Sequence, residues 1–268
     1  MAPIGVFDSG IGGLSVLRHI HAHLPHENLL YFADSAFAPY GEKPEEVIVA
    51  RTLAIADFLL QQGAKALVVA CNTATSASIN ALRGCYPDLA VVGVEPGLKP
   101  AAALTKTRTV GVLATERTLA SAKFNLLREQ ITAATGVTFL LQACIGLADQ
   151  IEKGELHSNA TAILLRGYVT PLIEQGADTL VLGCTHYPFV QPLIEDIARN
   201  IASAEITIVD TGEAVARQLT RLLTQQGLTS IFTTQGTLAA FSSGSTSSVA
   251  TAFMNLLKLR LEVASVAA

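Results

Sequence analysis

Two cysteines each close one copy of a repeated thirteen-residue segment. The first copy, LLQQGAKALVVAC, spans 59–71, and the second, LIEQGADTLVLGC, spans 172–184; seven of the thirteen positions are identical. Each copy predicts a helix end, a glycine turn and a buried strand, which puts Cys71 and Cys184 at the carboxyl ends of strands, where open α/β sheets bind ligands. Two thiols that approach one carbon from opposite sides can take a proton from one face and return one to the other. The pair therefore favours a racemase or epimerase that uses no cofactor.

Polar residues follow both cysteines, in ACNTAT at 70–75 and GCTHYP at 183–188. They predict helix starts, where free backbone N–H groups favour a substrate carboxylate and the thiolate form of a cysteine. The alternative is that both cysteines are small buried hydrophobic residues. His186 lies two residues after Cys184 and could polarise that thiol or shuttle its proton, unless it only caps or packs locally.

A glycine-rich loop, DSGIGG at 8–13, follows the first predicted strand and opens a helix. It does not match the dinucleotide-binding fingerprint, because Ser15 stands where that pattern needs its third glycine. Asp8 and Ser9 are expected at the same sheet edge as the first cysteine. There Asp8 could orient an ammonium group or assist the thiol; the alternative is an N-cap for the helix at 13–24.

Two further segments place polar groups near strand ends. In the turn APYGEK at 38–43, the Tyr40 hydroxyl and the Gly41 backbone could contact a ligand, although a plain turn would have the same composition. Thr115 and Thr118 follow the strand of the second half that resembles the first strand of the chain. They are candidates for the matching edge of that half, with helix N-capping as the alternative.

Short apolar runs alternate with helical patterns along the chain, which predicts parallel sheets covered by helices. The predicted strands are 4–7, 29–32, 66–70, 90–94, 110–114, 137–141, 179–183 and 205–209. The predicted helices are 13–24, 44–62, 75–84, 97–105, 118–134, 145–152, 158–175, 188–200 and 212–226.

The repeat divides this α/β pattern into two pseudo-symmetric open parallel-sheet domains with helices on both faces and the active site in the cleft between them. We expect residues 1–97 plus 210–268 to form the first domain and residues 98–209 to form the second. The serine-rich stretch 241–248 predicts a loop. The apolar stretch 249–263 has a helical pattern, and we expect it to pack back on the first half.

Composition narrows the class of protein. Half of the 268 residues are hydrophobic, 15% are charged and the net charge is −4, which argues against disorder and against a nucleic-acid partner. No apolar run reaches the about 18–20 residues that span a bilayer, so no membrane partner is expected. The N-terminus, MAPIGVFDSG, lacks the pattern of a secretory signal, which favours a cytoplasmic location.

The remaining cysteines and a histidine cluster are not expected to carry chemistry. All four cysteines are predicted to be free thiols, and Cys85 and Cys144 to be packing residues. Of His19, His21 and His23, only the first and last share a helical face, and no further ligand has suitable spacing, so no metal site is predicted.

Taken together, DSGIGG, APYGEK, VVACNTAT and VLGCTHYP resemble the aspartate/glutamate racemase family, and within it the glutamate racemases, in order and spacing from residue 4 to about residue 212. The resemblance implies a cofactor-independent isomerase that makes D-glutamate for bacterial peptidoglycan. It implies Cys71 and Cys184 as the acid/base pair, acting on D- and L-glutamate respectively. The family motifs imply assistance or substrate contacts from Asp8, Ser9, Tyr40, Gly41, Asn72, Thr73, Thr185 and His186.

The resemblance also marks one further match and one departure. Glu152 matches an acidic position of the family. Many relatives carry an arginine two residues before the Pro-Tyr-Gly of the turn, whereas this chain has Phe37 and Ala38 in that neighbourhood.

Three other functions are alternatives to a glutamate racemase. An aspartate or other amino-acid racemase would use the same two-cysteine plan. A non-catalytic amino-acid-binding module would carry the thiols incidentally. A thiol redox protein is disfavoured because no C-x-x-C occurs. A homodimer is compatible with the sequence, which does not fix the oligomeric state.

Overall fold

The computed structural model describes residues 2–202 and 205–266. These residues fold into two compact α/β units. Unit 1 contains the chain up to Val94 and from Gly212 onward, and unit 2 is Glu95–Thr211. Each unit has one parallel sheet, so the predicted α/β class is confirmed.

The helices and strands follow the predicted alternation closely through the first 225 residues. The strands are β1 Ile4–Asp8, β2 Leu29–Ala33, β3 Ala66–Val69, β4 Ala90–Gly93, β5 Thr109–Ala114, β6 Thr138–Ala143, β7 Thr179–Gly183, β8 Thr207–Val209, β9 Leu238–Ser242 and β10 Val263–Ser265. The helices are α1 Leu14–His23, α2 Glu45–Gln61, α3 Asn72–Cys85, α4 Leu98–Leu104, α5 Glu116–Ala120, α6 Ala122–Thr135, α7 Leu147–Glu152, α8 Asn159–Glu174, α9 Gln191–Ile201, α10 Gly212–Gln225 and α11 Thr246–Ala252. Short 3₁₀ or π turns cover Tyr40–Glu42, Tyr187–Val190 and Phe253–Leu257.

The two sheets share a core of four parallel strands in the same order. Unit 1 is ordered β10-β9-β2-β1-β3-β4, and unit 2 is ordered β6-β5-β7-β8. The order β2-β1-β3-β4 therefore corresponds to β6-β5-β7-β8, and β3 and β7 are the strands of the two repeat segments. Since the strands of each sheet are parallel, their carboxyl ends lie at one edge, which in unit 1 carries Cys71 and in unit 2 carries Cys184.

Both faces of the unit 2 sheet are buried. Leu113 and Leu182 pack in one hydrophobic cluster with residues of α7, α8 and α9. Val112 and Val181, their neighbours along the strands, pack in a second cluster with residues of α4 and α6. Successive strand residues point to opposite faces, so the two clusters lie on opposite sides of the sheet. This explains why the strands are uninterrupted apolar runs in the sequence.

The repeat extends to a packing detail at the centre of each sheet. Gly5 in β1 lies opposite Leu67 in β3, and Gly111 in β5 lies opposite Leu180 in β7. A Cβ added at Gly5 would lie 2.8 Å from Leu67 Cδ2, and one added at Gly111 would lie 2.7 Å from Leu180 Cδ2. Each glycine therefore leaves room for the leucine of the neighbouring repeat segment.

We expect Gly111→Ala to lower the free energy of unfolding by about 1–3 kcal/mol, because the added methyl overpacks a full core. The matched control is Gly167→Ala in α8, where an added Cβ would point into open space. That change should be neutral or stabilise by up to about 1 kcal/mol through helix propensity. Urea denaturation of both variants decides; equal effects of the two changes would contradict this account of the core.

The structure corrects two predictions for the C-terminal segment. The expected loop 241–248 begins with the end of β9 and closes with the start of α11. The expected helix 249–263 is confirmed for 249–257, which lie in α11 and the π turn, but it ends there, and Val263–Ser265 form β10. The strand was missed because its short sequence, LAAFS, has little β-propensity of its own and is stabilised by pairing with β2. The predicted packing on the first half is confirmed: the ring of Phe253 lies edge-on to that of Tyr31, with centroids 5.5 Å apart.

The predicted helix 118–134 is also corrected, because it is two helices. It breaks at Ser121, whose hydroxyl accepts a hydrogen bond from the Phe124 N–H at 3.2 Å and so caps α6. A serine side chain that captures a backbone donor at a helix start favours a new N-terminus over a continuous helix.

Candidate active site

Cys71 caps the helix that follows β3. Its Sγ accepts a hydrogen bond from the Ala74 N–H at 3.4 Å, at the N-terminus of α3. The Ser9 hydroxyl oxygen lies 3.8 Å from the same sulfur. A backbone donor at the positive end of a helix stabilises negative charge, so this environment supports a thiolate.

Two polar residues follow Cys71 in the first turn of α3. Asn72 and Thr73 are both buried. Within the described residues, the Asn72 side-chain nitrogen Nδ2 is buried without a hydrogen-bond partner. A buried amide donor left unpaired by the protein is costly unless a ligand or water satisfies it.

Asp8 is the last residue of β1, which pairs directly with β3. Its side chain is fully buried, and Oδ2 accepts a hydrogen bond from the Gly10 N–H at 3.0 Å. The N-cap of α1 is Gly13 without a side-chain cap bond, so Asp8 does not fill the capping role that was the alternative to function. Unit 1 thus brings Asp8, Ser9 and Cys71 to one sheet edge.

The Tyr40 side chain is hydrogen-bonded to Asp34, a residue that the sequence analysis did not single out. Its hydroxyl donates to Asp34 Oδ2 at 2.5 Å, and Arg51 Nε donates to the same oxygen at 2.9 Å. Burial raises the pKa of the Tyr40 hydroxyl well above its usual value, and the negative charge of Asp34 raises it further. The hydroxyl is therefore protonated and engaged. Asp34 directly follows β2, and Asp8 likewise ends β1. This position at a strand end is the sequence signal that could have identified Asp34.

In unit 2, Cys184 begins a chain of three side chains. Its Sγ lies 3.5 Å from His186 Nδ1, and His186 Nε2 lies 2.7 Å from Glu152 Oε1. His186 is buried and makes no side-chain cap bond to the turn that follows. Local capping is therefore not the role of this histidine. Glu152, at the end of α7, orients the imidazole that contacts the thiol.

The charge state of His186 follows from its two partners. Burial by itself would lower the pKa of His186, but its hydrogen bonds to Cys184 and Glu152 outweigh burial and raise the pKa well above the ordinary 6.5. An imidazolium held by a carboxylate is suited to pair with a thiolate and to exchange its proton with it.

We expect the Glu152→Gln variant to lose stability mainly at acidic to neutral pH. The pKa of His186 is raised in the folded chain, so the stability from its protonation is fully present below the unfolded pKa of about 6.5 and is lost as pH rises through the folded pKa. Removing the carboxylate should cost about 1.5–3 kcal/mol at pH 6 and less at alkaline pH. Urea denaturation at both pH values measures this, with the exposed Glu155→Gln as control; a loss that is constant with pH would contradict the ion pair.

The threonines of unit 2 have local partners. Thr115 Oγ1 accepts a hydrogen bond from the Thr118 N–H at 3.2 Å, so Thr115 is the N-cap of α5, the alternative stated for it above. The two hydroxyl oxygens are 2.9 Å apart. Thr185, which lies between Cys184 and His186 in the sequence, is buried. Contacts of these threonines with substrate stay a prediction.

The other two cysteines, Cys85 and Cys144, differ in their exposure to solvent. Cys144 is buried, as expected of a packing residue, and burial raises the pKa of its thiol. The same expectation was wrong for Cys85, which is exposed because it is the last residue of α3, where the helix leaves the core. Across residues 2–202 and 205–266, no group of three or more His, Cys, Asp or Glu side chains is placed to hold a metal ion.

Comparison with known proteins identifies the family. The Asp/Glu/hydantoin racemase model matches residues 4–219. The glutamate racemase of Methylococcus capsulatus is 58% identical over 226 residues, covering 84% of this chain and 81% of that protein. A solved glutamate racemase isoform of Bacillus anthracis has a TM-score of 0.88 at 30% identity, over 99% of this chain and 97% of that one. The Francisella tularensis glutamate racemase, solved with D-glutamate, has a TM-score of 0.84 at 26% identity, over 98% and 97% of the two chains. The chain therefore belongs to the Asp/Glu/hydantoin racemase family, and within it to the glutamate racemases.

Proposed function

We propose that this protein interconverts L- and D-glutamate by direct proton transfer at Cα, with Cys71 and Cys184 as the two bases, and so supplies D-glutamate for peptidoglycan synthesis. One observation carries the proposal. Two thiols end equivalent strands of two similar sheets, and each has its own supporting groups: a helix N-terminus for Cys71 and the His186–Glu152 pair for Cys184. Membership of the family supports glutamate as the substrate.

The proton balance is simple in this mechanism. In the direction from L- to D-glutamate, the Cys184 thiolate takes the Cα proton and becomes a thiol. The Cys71 thiol gives its proton to the opposite face of Cα and becomes a thiolate. The reverse reaction exchanges the two roles, so the mechanism requires one sulfur on each face of Cα.

The carbanionic transition state needs electrostatic stabilisation, because the Cα–H of glutamate is a very weak acid. Hydrogen-bond donors held in place around the α-carboxylate would supply it. Asn72 Nδ2 is such a donor, since it is buried and lacks a partner among the described residues. Thr73 and Thr185, each next to the cysteine segment of its unit, are the corresponding hydroxyl candidates. Asp8 is a fully buried carboxylate suited to hold the α-ammonium group.

The 38–43 turn would contribute through its backbone. The one proton of the Tyr40 hydroxyl is donated to Asp34, so the hydroxyl keeps only lone pairs for any further contact. A substrate carboxylate is not a suitable partner for it. We therefore assign the contacts between this turn and a substrate carboxylate to backbone N–H groups. The Gly41 N–H is the first candidate.

Circular dichroism of L-glutamate incubated with the purified protein tests the substrate, with L-aspartate in parallel. The signal of glutamate should decay to zero and that of aspartate should persist. Decay for aspartate instead would identify an aspartate racemase. No decay for either amino acid, with glutamate still bound, would identify a binding module. Activity that requires a Cys71–Cys184 disulfide would identify a thiol redox protein.

The proposal also covers the oligomeric state and the cellular location of the protein. None of the helices in the described part of the chain is long and apolar enough to cross a membrane. A cytoplasmic location, a homodimer and an active site in a cleft between the domains stay predictions, and light scattering of the purified protein would test the homodimer.

A further inference from the structure

The buried carboxylate of Asp34 joins three parts of unit 1. Asp34 is fully buried and follows β2. Its oxygens accept four hydrogen bonds: from the Tyr40 hydroxyl at 2.5 Å, from Arg51 Nε and Nη2 at 2.9 and 2.7 Å, and from the Ser243 hydroxyl at 2.7 Å. A buried carboxylate with a bidentate arginine and two hydroxyl donors is fully satisfied, so its position is fixed from several directions.

Asp34 is also tied to the catalytic edge of the sheet. Its backbone N–H donates to the Asp8 carbonyl oxygen at 2.9 Å. The Tyr40 ring that it holds lies in the same hydrophobic cluster as Cys71 and Ala74. The Asp34 carboxylate thus fixes the 38–43 turn relative to the edge that carries Asp8 and Cys71.

Arg51 reaches Asp34 across Phe37. Its guanidinium carbon lies 4.0 Å from the centroid of the Phe37 ring, a cation–π contact. The hydrogen bond to Asp34 raises the pKa of Arg51. The cation that pairs with the Asp34 carboxylate therefore comes from α2.

Ser243 brings in the C-terminal segment, to which sequence analysis gave no role in the site. It directly follows β9; its hydroxyl donates to Asp34 and accepts from the Ala36 N–H at 3.2 Å. The next residue, Gly244, lies so close that an added Cβ would be 2.8 Å from the Ala36 nitrogen. The segment 243–244 therefore packs directly against residues 34–36, just before the turn.

We propose that Asp34, held by Arg51 and Ser243, is a positioning residue that sets the 38–43 turn for substrate binding, and that the C-terminal segment thereby contributes to substrate affinity. The proposal rests on the proposed function in one respect, that this turn contacts glutamate. The cluster acts through Tyr40 and contacts no reacting atom. Its loss should weaken substrate binding more than it slows the proton transfer.

Ser243→Ala is the first test, because it removes one hydroxyl and leaves the Asp34–Arg51 ion pair in place. KM for L-glutamate should rise about threefold to tenfold, while kcat changes less than about twofold. Ser243→Thr, which keeps a hydroxyl, should restore most of the affinity. Ser247→Ala, an exposed serine in the same segment, is the matched control and should match the wild type.

A double-mutant cycle of Asp34→Asn and Tyr40→Phe tests whether the two residues act together. If Asp34 acts through Tyr40, the combined rise in KM will be well below the product of the single effects. Independent effects, or Ser243→Ala with unchanged KM and only a lower melting temperature, would overturn the proposal.

Calorimetric titration with glutamate separates this proposal from the proposed function. If the wild type binds glutamate but does not racemise it, the proposed function fails. Ser243→Ala should still raise Kd about threefold to tenfold in that case. An unchanged Kd would overturn the positioning role whether or not the wild type is an active racemase.

Discussion

Replacing either Cys71 or Cys184 by serine is expected to lower kcat/KM for glutamate by at least about a thousandfold. A serine hydroxyl is a far weaker acid than a thiol, so one face of Cα is left without a competent acid or base. L- and D-glutamate have equal free energies in solution, so kcat/KM must fall by the same factor in both directions. Initial rates by circular dichroism from each enantiomer measure the loss and check this equality.

The exposed Cys85 provides the matched control. Cys85→Ser removes a thiol at the far end of α3, and we expect wild-type rates from it. Near-wild-type turnover in either of the other two serine variants would contradict the two-base mechanism. Loss of activity in all three would point to a general requirement for thiols instead.

Replacing His186 by asparagine is expected to lower kcat about a hundredfold, the next largest effect. The histidine lies between Cys184 and Glu152, and its raised pKa keeps a positive charge beside the sulfur. Without it, the Cys184 thiolate loses both its counter-charge and its route for proton exchange. Cys71 is supported by the Ala74 N–H and should keep its properties.

The rate at which iodoacetamide alkylates each thiol localises this effect. In His186→Asn, alkylation of Cys184 near neutral pH should slow, because the sulfur loses the imidazole that lies 3.5 Å from it, while alkylation of Cys71 should not change. Mass spectrometry of the two peptides resolves the sites. Equal slowing at both cysteines, or unchanged turnover, would contradict a specific role of His186 at Cys184.

The parts of the structure that depend on local sequence were predictable. Buried parallel strands are continuous apolar runs, so β1 to β8 and the strand-end position of both cysteines follow from pattern alone. The repeat predicted two similar α/β halves, and the strand order that they share became visible only in the folded sheets. By contrast, β9 consists of small residues and is specified by its pairing with β2, which no local pattern records.

The supporting contacts of the site could not be predicted because they join distant positions. Glu152 and His186 are 34 residues apart, and only the family resemblance singled out the glutamate. Asp34 meets Arg51 at a separation of 17 residues and Ser243 at a separation of 209. The sequence indicates which residues could carry chemistry. The side chains that position these residues and set their charge states come together only in the folded chain.

The most direct test of the two-base mechanism is the deuterium content of both enantiomers early in the reaction of L-glutamate in D₂O. Thiols exchange with solvent before the first turnover, so the cysteine that delivers the new proton carries deuterium. We expect the first D-glutamate formed to contain deuterium at Cα while the remaining L-glutamate keeps its hydrogen. Product that retains the original hydrogen, or equal deuterium in both enantiomers from the start, would contradict proton transfer by two separate thiols.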